Sequence, residues 1–323
     1  MLALSVQRND HAVSDVQAVD RSEVPAVEIP TPKLRSEPEW GHATNLRLPS
    51  IDVRIDFEQK VYWAAMRESQ HPMITMELIQ DMLCVQESVR VIMSEGNREQ
   101  HQLLEYFVAA SQTPGVYSFG GNLAFFADCI RSKDRAGLQN YAYGCIDVIY
   151  GNAMAFHTPL VTIALVQGDA LGGGFECALS FDIVVAERSA KMGLPEVLFN
   201  LFPGMGAYSL LSRKIGTAGA EKLIMSGTVF TAEQLHQLGV VDVLAEDGQG
   251  ENAVRDYIAS NRRKHNAHKA IYRSKRRVNP LTYEELRDIV EIWLDAAMDL
   301  QEQDLRKMTR LVGAQGRRLD KRD

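Results

Sequence analysis

Three adjacent glycines interrupt the chain between an apolar run and an acid. Residues 171–176 read LGGGFE and directly follow the run VTIALVQGDA. A strand that ends in this way and continues into ECALS predicts that the glycines lie at the N-terminus of a helix. Helix N-termini expose unpaired backbone N–H groups at the positive end of the helix dipole, and glycine lets a ligand approach that backbone. The segment therefore predicts a site for an anion or for an oxygen that becomes negative during a reaction.

A second strand-to-helix turn with paired glycines lies earlier in the chain. The stretch YSFGGNLAFF, residues 117–126, contains Gly120 and Gly121. A single N–H donor makes a poor oxyanion hole, so a second backbone donor is expected elsewhere. We expect this turn to supply that donor and to face the turn at 171–176.

Two glutamates accompany these turns. Glu176 follows the last glycine within the first turn of the predicted helix, and Glu196 lies in MGLPEVLF at another strand-to-helix turn. Neither glutamate has an adjacent Arg or Lys, and both are flanked by apolar residues. Carboxyl groups in apolar surroundings have raised pKa values and can exchange protons near neutral pH. The two acids are therefore candidates for general acid and base.

Each of these features also has a simpler interpretation. A GGG tract is more often a flexible or tight turn, Glu176 could only complement the helix dipole, and Glu196 could lie on the surface. A phosphate-binding loop is a further alternative, but the chain has no GxxxxGK[ST], and PGMGAY lacks the strand context of GxGxxG. The joint arrangement of the turns and acids favours the oxyanion site.

Composition excludes several classes of function. The chain has 323 residues, a formal net charge of -7 and a pI near 5.7, which disfavours a nucleic-acid binder that neutralises phosphates. Its four cysteines form no CxxC pair, as in a reduced cytosolic protein. The first thirty residues lack the uninterrupted apolar region of a secretory signal, and no segment reaches the ~18 apolar residues of a membrane span. We expect a cytoplasmic protein with no membrane partner.

The chain divides into three regions. Residues 1–48 are polar and proline-rich and predict a flexible tail. Residues 49–250 alternate strand-like and helical patterns, which indicates an α/β core. Residues 251–323 are predicted to be helical, with an apolar stripe that must pack against another surface.

Four motifs in order resemble the crotonase superfamily, the enoyl-CoA hydratases, isomerases and their relatives. They are YSFGGN, ALGGGFECALSFDIVVA, MGLPEVLFNLFPGMGAYSLLSRKIG and AEKLIMSGTVFTAEQLHQLGVVD, between about residues 52 and 245. The resemblance implies a ββα spiral core and a lyase. It implies that the amides of Gly121 and Gly173 hold a thioester carbonyl, and that Glu196 takes the α-proton of a 3-hydroxyacyl thioester while Glu176 protonates the departing hydroxyl.

A closer resemblance is to diffusible-signal-factor synthases, through ALVQGDALGGGFE, MGLPEVLFNLFPGMGAYS, EIWLDAAM and MTRLVGAQ. It implies that a medium-chain 3-hydroxyacyl group on acyl carrier protein is dehydrated and hydrolysed, without a cofactor, to a cis-2-unsaturated fatty acid that serves in quorum sensing. The turn QTPGVYSFGGN lacks the lysine of many CoA-using relatives, which favours carrier protein over CoA. Asn122 stands where the family usually has Asp, so the resemblance does not define the geometry of this turn.

The same resemblance implies substrate-binding residues. These are Gly172, Met205, Trp293 and Leu311, of which the last three would line an apolar acyl pocket; each of those three is equally well read as an ordinary core residue. The basic stretch 261–277 could receive an acidic carrier protein or a phosphate, or it could be a solvated helix face. Its histidines have no carboxylate or cysteine set nearby, so no metal site is predicted.

Two other functions stay open at this point. One is a generic enoyl-CoA hydratase of fatty-acid metabolism, which would act on CoA thioesters. The other is a binding module that regulates a sensor protein, although the presence of both Glu176 and Glu196 argues against a pure binder. Superfamily members commonly form trimers or hexamers, so the C-terminal helices are predicted to cover either the acyl pocket or an oligomer interface.

Overall fold

Strand β5 shows how this chain builds its larger sheet. All six of its residues, Val161–Val166, are buried. Because successive side chains of a strand point to opposite faces, Val161 and Ile163 pack in one apolar cluster while Ala164 and Val166 pack in another. Burial on both faces is typical of a central parallel strand.

The computed structural model describes residues 43–98 and 103–319, and these residues belong to one compact unit. The predicted tail, residues 1–48, lies outside the described residues as far as residue 42. Across the described ranges, no helix combines the length and the apolar character needed to cross a lipid bilayer.

The larger sheet has the strand order β1-β2-β3-β5-β7-β10. Strands β1 and β2 are antiparallel, and every other neighbouring pair is parallel. Its strands are β1 (Ile51–Asp56), β2 (Val61–Met66), β3 (Tyr106–Ser111), β5 (Val161–Val166), β7 (Ile183–Glu187) and β10 (Val243–Ala245).

The smaller sheet has the order β4-β6-β8-β9 and is built from strands of three residues each. Strands β4, β6 and β8 run parallel, and β9 is antiparallel to β8. Its strands are β4 (Val116–Ser118), β6 (Asp169–Leu171), β8 (Lys191–Gly193) and β9 (Val229–Thr231).

The helices α1 to α11 fill the connections and the C-terminal region. They span Met76–Arg98 (α1), Leu123–Ser132 (α2), Arg135–Ala153 (α3), Gly173–Leu179 (α4), Ala207–Ile215 (α5), Thr217–Ser226 (α6), Ala232–Gln237 (α7), Gly250–Asn261 (α8), His265–Val278 (α9), Tyr283–Met298 (α10) and Glu302–Leu319 (α11). Short 3-10 helices cover Ala155–His157, Pro195–Phe199 and Arg262–Lys264.

The chain winds repeatedly from the larger sheet to the smaller one and then into a helix. The sequence β3, β4, α2 is followed by β5, β6, α4 and then by β7, β8 and the 3-10 helix Pro195–Phe199. The predicted α/β class and ββα spiral are therefore confirmed. Because β4, β6 and β8 are parallel neighbours, their carboxyl ends meet at one edge of the small sheet. Three strand-to-helix turns consequently lie side by side.

The C-terminal helices pack on the helices that follow these turns. Helix α10 packs along α3, and α11 packs along α2. Helix α3 ends at Ala153. Beyond it, Ala155, Phe156 and His157 adopt left-handed backbone angles, which no glycine in the sequence signals.

Candidate active site

The two glycine turns pack backbone against backbone. Gly120 has a φ of +87°, and a Cβ at this position would lie 2.5 Å from the carbonyl oxygen of Leu171 and 2.7 Å from the amide nitrogen of Gly173. Only glycine can occupy such a position, because it lacks the Cβ and adopts positive φ without strain. The turn after β4 therefore touches the turn after β6, as the sequence predicts.

The third turn brings an acid against the second. Glu196 lies in the 3-10 helix Pro195–Phe199 that follows β8. A Cβ on Gly172, whose φ is +50°, would lie 2.5 Å from Glu196 Oε1. The glycine at 172 thus leaves the space that the carboxyl group fills. This contact explains the glycine at position 172, directly before α4.

The amides of Gly121 and Gly173 are placed for a shared acceptor. Neither N–H donates a hydrogen bond within residues 43–98 and 103–319, and both residues line the same cavity. A Cβ on Gly173 would lie 3.4 Å from the Gly121 nitrogen, so the two turns are close at this point. A carbonyl oxygen between them could accept from both amides and be stabilised as it gains negative charge.

Glu176 is held by two backbone amides at the start of α5. Its Oε1 accepts hydrogen bonds from the amides of Met205, at 2.8 Å, and Ala207, at 2.9 Å. The residue is only 1% exposed. Burial raises the pKa of Glu176 to about 7, while the two backbone donors oppose that rise. These donors stabilise the ionised carboxylate.

Glu196 differs from Glu176 in its hydrogen bonding. Its Oε2 is buried and has no hydrogen-bond partner in the part of the chain that the structure describes. Burial, and next the charge of Glu176, raise the pKa of Glu196 to about 8. With one proton on the pair, the charge therefore rests on Glu176 and the proton on Glu196. This arrangement provides a base and an acid in one cavity.

The cavity between the turns is small and mostly apolar. Its volume is about 40 Å³. It is lined by Gly121, Leu123, Phe126, Tyr141, Ala142, Gly173, Glu176, Glu196, Phe199, Leu201, Pro203, Gly204, Met205 and Trp293.

Six of the residues named from the sequence meet in this cavity: Gly121, Gly173, Glu176, Glu196, Met205 and Trp293. Gly172 contributes through its contact with Glu196. Leu311 does not line the cavity. It lies on α11, where its half-buried side chain packs against the main core instead.

Tyr141 is a site residue that the sequence analysis missed. Its hydroxyl donates to the Ile74 carbonyl at 2.7 Å and accepts from the Asn122 amide at 3.3 Å. It therefore ties the turn at Gly121 to the chain before α1. The Asn122 side chain caps α2 by accepting from the Phe125 amide at 3.1 Å. Within a long apolar helix, nothing in the sequence distinguishes Tyr141 from a core residue.

The remaining predictions concern metals and the basic stretch. Among residues 43–98 and 103–319, no three side chains of His, Cys, Asp or Glu come together as metal ligands. The stretch 261–277 forms the end of α8, a 3-10 turn and α9. Most of its side chains are exposed, but Arg276 pairs with Asp182 at 2.6 Å and His265 is buried against Tyr106.

Comparisons with known proteins place these features in context. A family model described as enoyl-CoA hydratase/isomerase matches residues 97–309, more than half of the chain. The 2,3-dehydroadipyl-CoA hydratase of Escherichia coli is 38% identical over 150 residues, which cover 44% of this chain and 57% of that protein. The mitochondrial methylglutaconyl-CoA hydratase of Rattus norvegicus is 36% identical over 152 residues, covering 46% of this chain and 45% of the relative.

The chain thus spans about half the length of these curated relatives. A crystal structure of enoyl-CoA hydratase from Bacillus halodurans superposes with a TM-score of 0.65 at 21% identity, over 81% of this chain and 99% of that chain. At this level of identity, the superposition supports the fold.

Proposed function

The chain belongs to the enoyl-CoA hydratase/isomerase family, and we propose that it adds water to a 2-enoyl thioester and, in reverse, dehydrates a 3-hydroxyacyl thioester. One observation carries the proposal. Two buried carboxyl groups with different hydrogen bonding, Glu176 and Glu196, line the same cavity as two unused backbone amides. Addition of water across a conjugated double bond needs a base, an acid and a site for the enolate oxygen.

In the hydration direction, the thioester carbonyl accepts hydrogen bonds from the amides of Gly121 and Gly173. The Glu176 carboxylate takes a proton from water as the water oxygen bonds to C3. The electron pair of the double bond moves toward the carbonyl, and the enolate oxygen is stabilised by the two amides. Protonated Glu196 then gives its proton to C2. The protonation preference of the unliganded pair matches this direction.

In the dehydration direction the same steps run backward. Glu196, now ionised, takes the proton from C2, and Glu176 protonates the hydroxyl that leaves C3 as water. Each direction uses one proton on the pair, so the reaction requires no group beyond the protein and the thioester. We accordingly propose no metal and no organic cofactor.

A second candidate is the synthesis of a cis-2-unsaturated fatty acid signal from a medium-chain 3-hydroxyacyl thioester. It is supported by the motifs EIWLDAAM and MTRLVGAQ and by the absence of a lysine before YSFGGN, which favours acyl carrier protein over CoA. Release of the acid needs a further step, in which a water oxygen bonds to C1, the C–S bond breaks and the thiol leaves with a proton. The amides of Gly121 and Gly173 would stabilise that intermediate too.

The proposed acid, base and both amides lie in one chain. We also propose a homotrimer or hexamer, which the family resemblance implies, and a cytoplasmic location, which the four cysteines without a CxxC pair support. Regulation through a sensor protein is a further part of this proposal.

A single set of incubations tests both candidates. The purified protein is given 2-dodecenoyl and 3-hydroxydodecanoyl thioesters, each on CoA and on acyl carrier protein, and the products are followed by mass spectrometry. Interconversion of the two thioesters, lost in Glu176→Gln and Glu196→Gln, supports the hydratase. Free 2-dodecenoic acid formed from the carrier-protein substrate supports signal synthesis. No conversion of any of the four substrates, nor of the four-carbon crotonyl-CoA, would exclude both.

A further inference from the structure

The cavity as it stands has room only for the reacting end of a substrate. A volume of about 40 Å³ corresponds to roughly three water molecules, because one water needs about 10–15 Å³ of such space. The thioester carbonyl together with C2 and C3 would use this room. The rest of an acyl chain must therefore pass the cavity wall.

That wall is aromatic and comes from three helices. The ring of Phe126 on α2 meets Tyr141 of α3 edge to face at 5.2 Å and Trp293 of α10 at 5.4 Å. The indole also packs closely on Gly204, since a Cβ at that position would lie 2.4 Å from it. Trp293 has little freedom to move without α10. Room for a longer chain therefore depends on how firmly α10 is held against α3.

A polar cluster holds these two helices together. Glu291, two residues before Trp293, accepts hydrogen bonds from three donors of α3: Arg135 at 2.8 Å, Gln139 at 2.7 Å and Tyr143 at 2.5 Å. We call Glu291 with these three donors the Glu291 clamp. The donors recur every fourth residue, so they lie on one face of α3. Tyr141, the wall residue of that helix, is two positions from Gln139 and from Tyr143, so it lies on the opposite face of α3, toward Phe126.

We propose that the Glu291 clamp restricts the length of the acyl chain by holding Trp293 against the Phe126–Tyr141 pair of rings. This inference rests on the proposed function, because it concerns the acyl group of the same thioester. Glu291 is a positioning residue, since it touches the wall helices and not the reacting atoms. Loss of the clamp leaves the Arg135–Asp295 and Tyr283–Asp147 contacts between α3 and α10 but weakens the hold on the part of α10 beside Trp293. It therefore favours long chains over short ones.

The test compares substrates of four and twelve carbons. For Glu291→Ala we expect the ratio of kcat/KM for 2-dodecenoyl-CoA to that for crotonyl-CoA to rise about tenfold, a change of about 1.4 kcal/mol. The value for crotonyl-CoA itself should stay within about twofold of wild type, since Glu176, Glu196 and the amides are untouched. A ratio that is unchanged, or that falls, overturns the proposal.

Two further variants separate length selection from general damage. Glu285 lies on the same helix and pairs with Arg213 of α5 at 2.7 Å, so Glu285→Gln should loosen α10 elsewhere and leave the ratio at the wild-type value. Tyr143→Phe removes one donor only and should raise the ratio by a smaller factor. It serves as the test variant should Glu291→Ala fail to fold.

Binding measurements keep this inference distinct from the proposed reaction. Unreactive S-butyl and S-dodecyl thioethers of CoA are titrated into wild type and Glu291→Ala by calorimetry. The ratio of their Kd values should shift in favour of the dodecyl ligand even if no substrate is turned over. A protein that turns over neither thioester but shows this shift would contradict the proposed function alone. A protein with hydratase activity and no shift would contradict the clamp.

Discussion

The carboxyl oxygen Oε1 of Glu196 lies 2.5 Å from the position where a Cβ of residue 172 would begin. The acid and the glycine therefore share one space. Because the glycine precedes α4 and the acid follows β8, this contact fixes the third turn of the spiral against the second. The absence of a side chain at residue 172 therefore sets the position of the Glu196 carboxyl group.

Gly172→Ala should consequently displace Glu196 and strain the backbone at a φ of +50°. We expect kcat/KM at pH 7.5 to fall by at least about a hundredfold, and stability to fall by about 1–3 kcal/mol. Gly239→Ala is the matched control, since Gly239 also has a positive φ, of +76°, but nothing lies within 4 Å of its Cβ position. It should lower the melting temperature and leave kcat/KM unchanged. Equal losses of activity in both variants would contradict this role.

The rate should depend on pH through the two glutamates together. The reaction needs one proton on the pair of carboxyl groups. A plot of kcat/KM against pH should therefore be bell-shaped, with limbs near pH 7 and pH 8, because the pKa values are about 7 for Glu176 and about 8 for Glu196. Below the lower limb both carboxyl groups are protonated and the base is lost. Above the upper limb both are ionised and the acid is lost. Stopped assays with crotonyl-CoA between pH 5 and 10 measure the profile, and a flat profile would argue against the pair.

Because Glu196 is enclosed, the protein should become less stable as the pH rises from about 4.5 to about 8. Burial raises the pKa of Glu196 from 4.5 to about 8, so the folded protein binds more protons than the unfolded chain between these values. The favourable contribution is present below about pH 4.5 and is lost as pH rises toward 8. Glu196→Gln removes this loss. It should raise the melting temperature by about 3–5 °C at pH 9, from about 1–2 kcal/mol, and leave it unchanged near pH 4.5. A gain that is the same at both pH values would contradict this origin.

Tyr141→Phe should affect the rate more than the binding of substrate. The change removes the hydroxyl that joins the Ile74 carbonyl to the Asn122 amide, so the turn at Gly121 loses its support. We expect kcat to fall about tenfold, KM to change little, and stability to fall by about 1 kcal/mol. The control is Tyr150→Phe on the same helix, because the Tyr150 hydroxyl makes no hydrogen bond within the described ranges. A decrease confined to KM would speak against support of the oxyanion site.

Patterns within short stretches of sequence were enough to predict several elements of the fold and both glutamates of the site. The apolar run at 161–166 and the helix that begins at Gly173 follow from periodicity and glycine placement. Glu176 and Glu196 stood out because acids in apolar surroundings are rare. These features depend on residues close together in sequence, so a single sequence can display them.

Other parts of the site depend on contacts between distant segments. The strands β4, β6 and β8 have three residues each, too few to show a period, yet their pairing aligns the three turns. Tyr141 acquires its role only because α3 passes the turn at Gly121. Leu311 shows the reverse case, since an apolar residue on a helical stripe can face the core without reaching the cavity.

The contact between the three turns also bears on folding kinetics. Each turn ends a different ββα segment, so the two amides and the two acids come together only after three distant parts of the chain have stacked. Contacts of long sequence separation form late, because the entropy of closing large loops must be overcome first. During refolding, helical circular dichroism should therefore recover before catalysis, and the return of enzymatic turnover marks completion of the spiral.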